Sequence, residues 1–326
     1  MHFWESICDI SNIQIGPNII SQIRTTDPKR WNTSPTDSPV RLATTHADAL
    51  AAKEFLQTYF GNPPHSPILS PDIHITDISQ SILLYVTNKN CIVGTIRYSY
   101  SGRIDTHPIY GIDCFCIHPH WRKRGIGSYL LSELHAITMA HGMKYSLFLK
   151  ESAPVIALQR PIYSSSYVYV KNKLSKSHVH THTVHTISPV TAHRLVDIYK
   201  SIYPNTFTLL HDGNKKIHWR LWRDHQTSSC ILASFQDSYQ IHPETHTPIG
   251  WCSGWLETRS EIDPILRAQA ILEMMSTVPY EWIWADRQWI RPRKDSIWQS
   301  DGAFHWYTYQ WKPVSCPDGR SYILQI

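Results

Sequence analysis

The sequence predicts a mixed α/β protein in which two pseudo-symmetric halves build one saddle-like sheet. Three observations predict it. A helix–strand–strand–helix–strand layout occurs twice along the 326 residues. Apolar residues recur at helical spacing in the longer runs and fill or alternate through the shorter ones. In the first copy, a strand, a glycine-bearing basic turn and a helix follow one another directly from Ile112 to Gly142. Residues 1–170 make the first half and 171–326 the second.

In chain order, His2-Phe3-Trp4 opens a terminus with two large aromatics, which are costly to expose, so this end is expected to be tied down. Residues 25–39 are rich in Pro, Ser and Thr and read as loop. Thr45 to Phe60 is an Ala-rich helix with Thr45 as N-cap, and residues 61–72 are a Pro-rich loop. Ile82 to Val86 and Cys91 to Tyr100 form a hairpin that turns at residues 87–90. Ile109 to Ile117 is the next strand. The helix after it carries Tyr129, Leu130, Leu134, Ile137 and Met139 at helical spacing and stops at Gly142. Lys144 to Leu149 is a strand, and residues 151–185 read as a connection. Within them His178, His180 and His182 share one strand face, followed by His185. A zinc site and a polar strand face are both open; adjacent same-face positions close poorly on a tetrahedral ion, so no metal is expected.

The second half begins with Pro189 to Tyr203, a helix. Ile217 to Asp224 reads as another. Ser229 to Phe235 and Pro248 to Leu256 are strands, and Ile262 to Met275 is a helix announced by Asp263 before Pro264. Tyr280 to Ala285, Phe304 to Trp311 and Tyr322 to Ile326 are strands.

Composition narrows the class. The chain is 42% hydrophobic and 17% charged, enough for a core and unlike a disordered chain. Its 13 Trp and 17 Tyr imply an aromatic core or an apolar ligand. A net charge of +5 suits an anionic ligand, without the basic stripe of a nucleic-acid binder. No apolar run reaches the roughly 18 residues of a membrane span, and no leader pattern opens the chain. The odd count of 7 Cys, with no C-x-x-C, suits reduced thiols in a cytoplasmic monomer.

The chemistry concentrates at Arg122-Lys123-Arg124-Gly125-Ile126-Gly127. The first amides of a helix have no internal partner and point outward, and the macrodipole adds positive charge. Gly125 and Gly127 let the backbone approach a phosphate closely. A solvated basic turn is the plain alternative. The order R-x-x-G-x-G after an apolar strand favours pyrophosphate instead, held by Lys123, Gly125, Ile126 and Gly127 with charge from Arg122 and Arg124. It is neither a Walker loop nor G-x-G-x-x-G.

This loop resembles the acyl-CoA pyrophosphate loop of the GNAT acyltransferase superfamily. Two GNAT-like halves with one such loop resemble the N-myristoyltransferase family, and three stretches carry that likeness. His2-Phe3-Trp4 is similar to the family's K/Q-F-W. Ile112 to Arg124 (IDCFCIHPHWRKR) resembles I-N-F-L-C-V-H-K-K-L-R-S-K. Ser300 to Lys312 (SDGAFHWYTYQWK) resembles G-D-G-N-L-Q-Y-Y-L-Y-N-W-K. The resemblance implies a double-GNAT fold, myristoyl-CoA as co-substrate, and N-terminal glycine peptides of proteins as acceptors. It implies that His2, Phe3 and Trp4 contact the acyl-CoA near its thioester and that Cys114, Phe115, Cys116 and Ile117 line it. It further implies that the amides of Cys114 and Phe115 form an oxyanion hole and that Ile326 places its carboxylate at the reaction centre. An α-carboxylate, with a pKa of about 3.3–3.7, is a weak base in water, and an apolar pocket raises its basicity. The peptide side departs from the family. Its acidic E-D-D run is missing, its Y-T-A-G falls at Phe148-Leu149-Lys150-Glu151, and its R-Y-W-H-R falls near Pro161 to Ser166. Two other functions stand beside this one: a GNAT acetyltransferase acting on another amine, and a non-catalytic acyl-CoA or peptide binder.

Overall fold

The computed structural model describes residues 21–22, 39–60, 67–70, 81–104, 106–143, 145–151, 161, 163–171, 182–203, 206–211, 216–257, 262–289, 297–309, 311–312 and 322–324. The first half contributes β1 (Ser21–Gln22), β2 (Val40–Leu42), α1 (His46–Tyr59), β3 (Ile68–Leu69), β4 (Ser81–Asn88), β5 (Cys91–Ile104), β6 (His107–Ile117), α2 (Ile126–Ala140), β7 (Ser146–Glu151) and β8 (Tyr163–Lys171). The second contributes β9 (His182–Ile187), α3 (Pro189–Ile202), β10 (Phe207–Leu209), β11 (His218–Asp224), β12 (Cys230–Ile241), β13 (Pro248–Glu257), α4 (Pro264–Met275), β14 (Trp282–Asp286), β15 (Ile297–Tyr309), β16 (Trp311–Lys312) and β17 (Tyr322–Leu324).

Local chemistry starts and stops these elements. Thr45 and Asp48 form a capping box on α1: the Asp48 amide donates to the Thr45 hydroxyl at 3.2 Å and the Thr45 amide to the Asp48 carboxylate at 3.0 Å. Ser188 caps α3, with Pro189 at its first position. Lys89 and Asn90 are both left-handed (φ 47° and 66°), which joins β4 to β5 with the twist a two-residue hairpin needs. At the end of α2 the Gly142 amide bonds Met139 O and the Met143 amide bonds Thr138 O, with Gly142 at φ 69°. This is a Schellman ending that only glycine adopts without strain.

The strands order as β2-β4-β5-β6-β7-β15-β8-β14-β13-β12-β11-β9 in one sheet, which β3, β10 and β17 join from the side. The two halves trade a strand. β15, from the end of the chain, pairs with β7, while β8 pairs with β14. The boundary at residue 170 falls at the end of β8, so each half reaches across the middle of the sheet. The largest apolar cluster lies there and includes Tyr167, Trp251, Trp284, Trp306 and Met274. A second cluster packs α2 onto β4 and β5 through Leu130, Leu134, Ile82 and Ile96.

Two expectations are corrected. Ile217 to Asp224 is strand β11, not helix: it is paired on both sides, by β9 and β12, and Trp219 and Trp222 are buried. Short apolar runs cannot be told apart by periodicity alone. Residues 151–185 are not only a connection, because β8 lies among them. Its Ser164 and Ser166 look loop-like, yet Tyr163, Tyr167 and Tyr169 are buried and the strand sits between β15 and β14. His178 and His180 lie outside the described residues. The side chain of His182 on β9 is largely covered, with Nε2 3.7 Å from Asp224 and Nδ1 3.6 Å from Glu273, whereas His185 is exposed. Among the described residues no His, Cys, Asp and Glu group could hold a metal ion, and no helix is long and apolar enough to cross a membrane.

Candidate active site

β6 and β7 run parallel and pair only from Tyr110↔Ser146 to Ile112↔Phe148. Beyond that they part. β6 continues to Ile117 and β7 to Glu151, the latter held from its other side by β15. The result is a V-shaped opening, with Asp113–Ile117 along one wall and Leu149–Glu151 along the other.

The β6 wall is bent at the position of the expected oxyanion hole. The β5–β6 register jumps from Thr95↔Cys116 to Arg97↔Asp113, so Cys114 and Phe115 together oppose Ile96. This is a β-bulge, and Cys114 adopts φ 51° to make it. The Thr95 hydroxyl donates to Cys114 O at 2.8 Å and fixes the bend. The Cys114 and Cys116 side chains turn away, into a cluster with Phe55 and Leu56 of α1. Burial, with Asp113 adding to it, pushes the Cys114 thiol far above its ordinary range. Burial pushes Cys116 up to about 11, with Arg122 pulling the other way. Neither is a thiolate at neutral pH, so neither is a competent nucleophile.

The anion loop follows. Pro119–Trp121 makes one 3-10 turn, Lys123 is left-handed at φ 62°, and Gly125 at φ 81° forms the N-cap of α2 with no side-chain cap. The Tyr129 amide is the first to bond back, to Gly125 O at 3.1 Å, so the amides of Ile126, Gly127 and Ser128 precede the helical ladder. Arg122, Lys123 and Arg124 are exposed around them. Arg122 Nε donates to Ile117 O at 3.2 Å, and the Arg124 guanidinium sits 5.0 Å above the Trp121 ring. The Ile126 side chain is buried, so it offers an anion only its backbone. Gly94 on β5 lets this helix end lie close on the sheet, since a Cβ there would stand 2.9 Å from Ile126 Cγ2. A Cβ on Gly127 would meet the Phe115 ring at 3.0 Å.

The second half parts its strands too. β13 and β14 are parallel from Ile249↔Trp282 to Trp251↔Trp284 and then separate. β17 enters there, antiparallel to β13 at Gly254 and Trp255 and parallel to β10. The residue after β10, Leu210, exchanges backbone bonds with Arg103 of β5 at 3.0 and 3.4 Å. Gly102 permits that crossing, because a Cβ there would lie 2.2 Å from Leu210 O. β17 thus runs alongside a strand that heads for the first half. Ile326, His2, Phe3 and Trp4 lie outside the described residues. At α4 the Asp263 carboxylate accepts the Ile265 amide at 2.7 Å, and Arg267 pairs with Glu257. With Asp263 already capping it, that helix end has no place for an anion.

Sequence reasoning missed one charged group at the site. Asp113, next to the bulge, takes two hydrogen bonds from half-buried Arg97, at 2.7 and 2.6 Å. Only the strand register brings these residues together, so no local pattern announces them.

A strand bulge, a parting of parallel strands and an uncapped glycine-led helix, set in a fold built twice, define a GNAT-type acyltransferase architecture. The acetyltransferase (GNAT) family model matches residues 49–159. Across the whole length the fold is that of N-myristoyltransferase. The Saccharomyces cerevisiae enzyme with bound myristoyl-CoA is similar with a TM-score of 0.59 at 11% identity, over 99% of this chain and 96% of that one. The same enzyme with myristoyl-CoA and inhibitors gives 0.59 and 11%, over 99% and 93%. No curated protein matches the sequence.

Proposed function

We propose that this chain is a glycylpeptide N-tetradecanoyltransferase-like enzyme, moving a myristoyl group from myristoyl-CoA to the N-terminal glycine amine of proteins. The observation that carries the reading is the pair of strand openings. One is bent and edged by an uncapped basic helix end, as acyl-CoA requires. The other receives the strand that leads to Ile326. The similarity to structures holding myristoyl-CoA supports the choice of acyl donor.

In this mechanism Lys123 and the amides of Gly125, Ile126 and Gly127 hold the pyrophosphate, with Arg122 and Arg124 adding charge. Cys114, Phe115, Cys116 and Ile117 line the acyl-CoA, and His2, Phe3 and Trp4 contact it near its thioester end. The amine attacks the thioester carbonyl. The amides of Cys114 and Phe115 meet the charge that develops on its oxygen. The Ile326 carboxylate takes the amine proton, made basic enough by an apolar setting. The CoA thiolate then leaves.

The test is mass spectrometry of purified protein with myristoyl-CoA and glycine-initiated peptides, beside a version extended by one residue after Ile326. Acylation of the glycine amine that collapses in the extended version is expected. Turnover that survives the extension removes the terminal base and points to an ordinary GNAT acting on another amine. Myristoyl-CoA binding without any turnover points to a binding module.

A further inference from the structure

Strand β11 carries a row of cations with no acid set against them. Ile217, Trp219 and Leu221 pack towards α3, beside Ala192 and Val196. The alternate positions turn the other way, to α4 and the turn after it. There the Trp222 indole donates to Glu273 at 2.7 Å, and Arg220 reaches Thr277. Burial deepens along this face. Lys216, just before the strand, is exposed, His218 is half-buried and Arg220 is 5% exposed.

Arg220 donates through Nε to the Thr277 hydroxyl at 2.6 Å, through Nη2 to Thr277 O at 2.7 Å and through Nη1 to Trp219 O at 2.9 Å. All three acceptors are neutral, and a guanidinium carries five N–H groups, so two remain. Thr277 follows α4, whose last carbonyls carry roughly half a negative charge. That accounts for an arginine at this helix end, but leaves the rest of its charge unmatched. Burial lowers the Arg220 pKa and no acid opposes it. Glu273 is taken by Trp222 and Gln269. Asp237 acts on Tyr280, adding to the upward push that burial gives its hydroxyl. The His218 ring meets Tyr280 edge-on at 5.8 Å, and its covered Nε2 finds no hydrogen-bond partner among the described residues. Burial first, then the charges of Arg220 and Lys216, lower the His218 pKa. A buried cation without a counter-charge and a buried nitrogen without a partner are each costly, and here they sit on one strand face, two residues apart.

We infer that Lys216, His218 and Arg220 form an anion site of the second half, which takes a small tetrahedral dianion of the sulfate or phosphate class. The ion enters at Lys216. The His218 ring, held by packing and not by a bond at Nε2, turns to meet it and takes a proton from solvent. The spare N–H groups of Arg220 complete the set. No covalent bond is made or broken. The site uses side chains of one strand, unlike the helix amides at Gly125 to Gly127, and it stands whether or not the chain transfers an acyl group. Its effect is to tie β11 to the turn after α4, so that the second half gains stability when the ion is bound.

The experiment titrates full-length protein with sulfate, against chloride at equal ionic strength, and follows the His218 ring by NMR, its signal assigned through His218→Gln. Sulfate should shift that signal saturably and raise the pH at which the ring titrates. Arg220→Gln should weaken the binding about tenfold or more, the loss of a charged hydrogen bond. Lys216→Gln, at an exposed position where folding is safe, should weaken it about two- to fivefold. Hydrogen exchange gives a second reading: sulfate should slow it in β11 and in the turn after α4, and His218→Gln should lose that protection. Because the signal is local, sulfate bound at the α2 loop does not enter it. Sulfate strengthens burial in any protein, so a drift linear in sulfate and equal in every variant would overturn the site. So would a saturable shift that Lys216→Gln leaves unchanged, which means an adventitious ion only. If Arg220→Gln fails to fold, the Lys216→Gln and His218→Gln results decide.

Discussion

In the first half β6 and β7 separate after Ile112 and Phe148, and in the second β13 and β14 separate after Trp251 and Trp284. The backbones solve the same problem. What differs is the chemistry at the mouth. The first has left-handed Gly125, three cations and a helix end without a cap; the second has Asp263 on its helix end and Arg267 already paired with Glu257. In the proposed function the first is kept for an anion. The second is filled by β17, a piece of the same chain. On that proposal a doubled architecture uses one opening as a ligand site and the other as a socket.

The strongest way to break the comparison is to empty the socket. Ile323→Pro removes an amide from a strand held between β10 and β13, and should cost about 3 kcal/mol. Denaturant titration measures it, and hydrogen exchange should rise first in β10 and β13, not in β4 and β5. Next comes the other mouth. Gly94→Val drives a side chain into Ile126 and should cost about 1–3 kcal/mol by overpacking. It should also weaken acyl-CoA binding about tenfold by lifting the start of α2, as read by calorimetry. A variant that loses stability but binds normally would show that the helix end is not the anion site. The third change gives α2 the acid that α4 already has. Ser128→Asp should raise stability by about 0.3–1 kcal/mol through the helix dipole, yet lower acyl-CoA affinity. Opposite signs in one variant are the signature of a helix end reserved for an anion.

The smallest effect is on pH. Burial lowers the pKa of His135 in α2, and of His218 and His242 in the second half, from the usual 6.5. The folded protein keeps these rings neutral, while the unfolded chain protonates them near 6.5. Their stabilising effect is therefore complete above about pH 7 and lost as the pH falls through 6.5 towards the lowered folded values. His242 also accepts the Glu244 and Thr245 amides on Nδ1, at 3.3 and 3.2 Å. The unfolding midpoint should drop between pH 7.5 and 5.5, with the second half exchanging first, and His242→Gln should flatten that slope.

Local signals made much of this legible. Thr45, Asp263 and Gly142 stand where helix chemistry demands them, and the glycine-led loop after an apolar strand is a local pattern. What stayed hidden depends on pairing. β8 mixes exposed serines with buried tyrosines and is a central strand only because β14 and β15 flank it. β11 is too short for periodicity to separate strand from helix. The Arg97–Asp113 fork exists only once a bulge sets the register between two strands.

The exchange of β8 and β15 has a consequence for how the protein is made. β7 is complete early in synthesis, but its partner β15 lies roughly 150 residues further on, about 8–30 s later at ribosomal speeds of ~5–20 residues per second. During that interval the first half presents an unpaired strand edge next to its apolar middle, the kind of surface that recruits chaperones or other nascent chains. The first half cannot mature by itself, and strands made much later complete the sheet that it began.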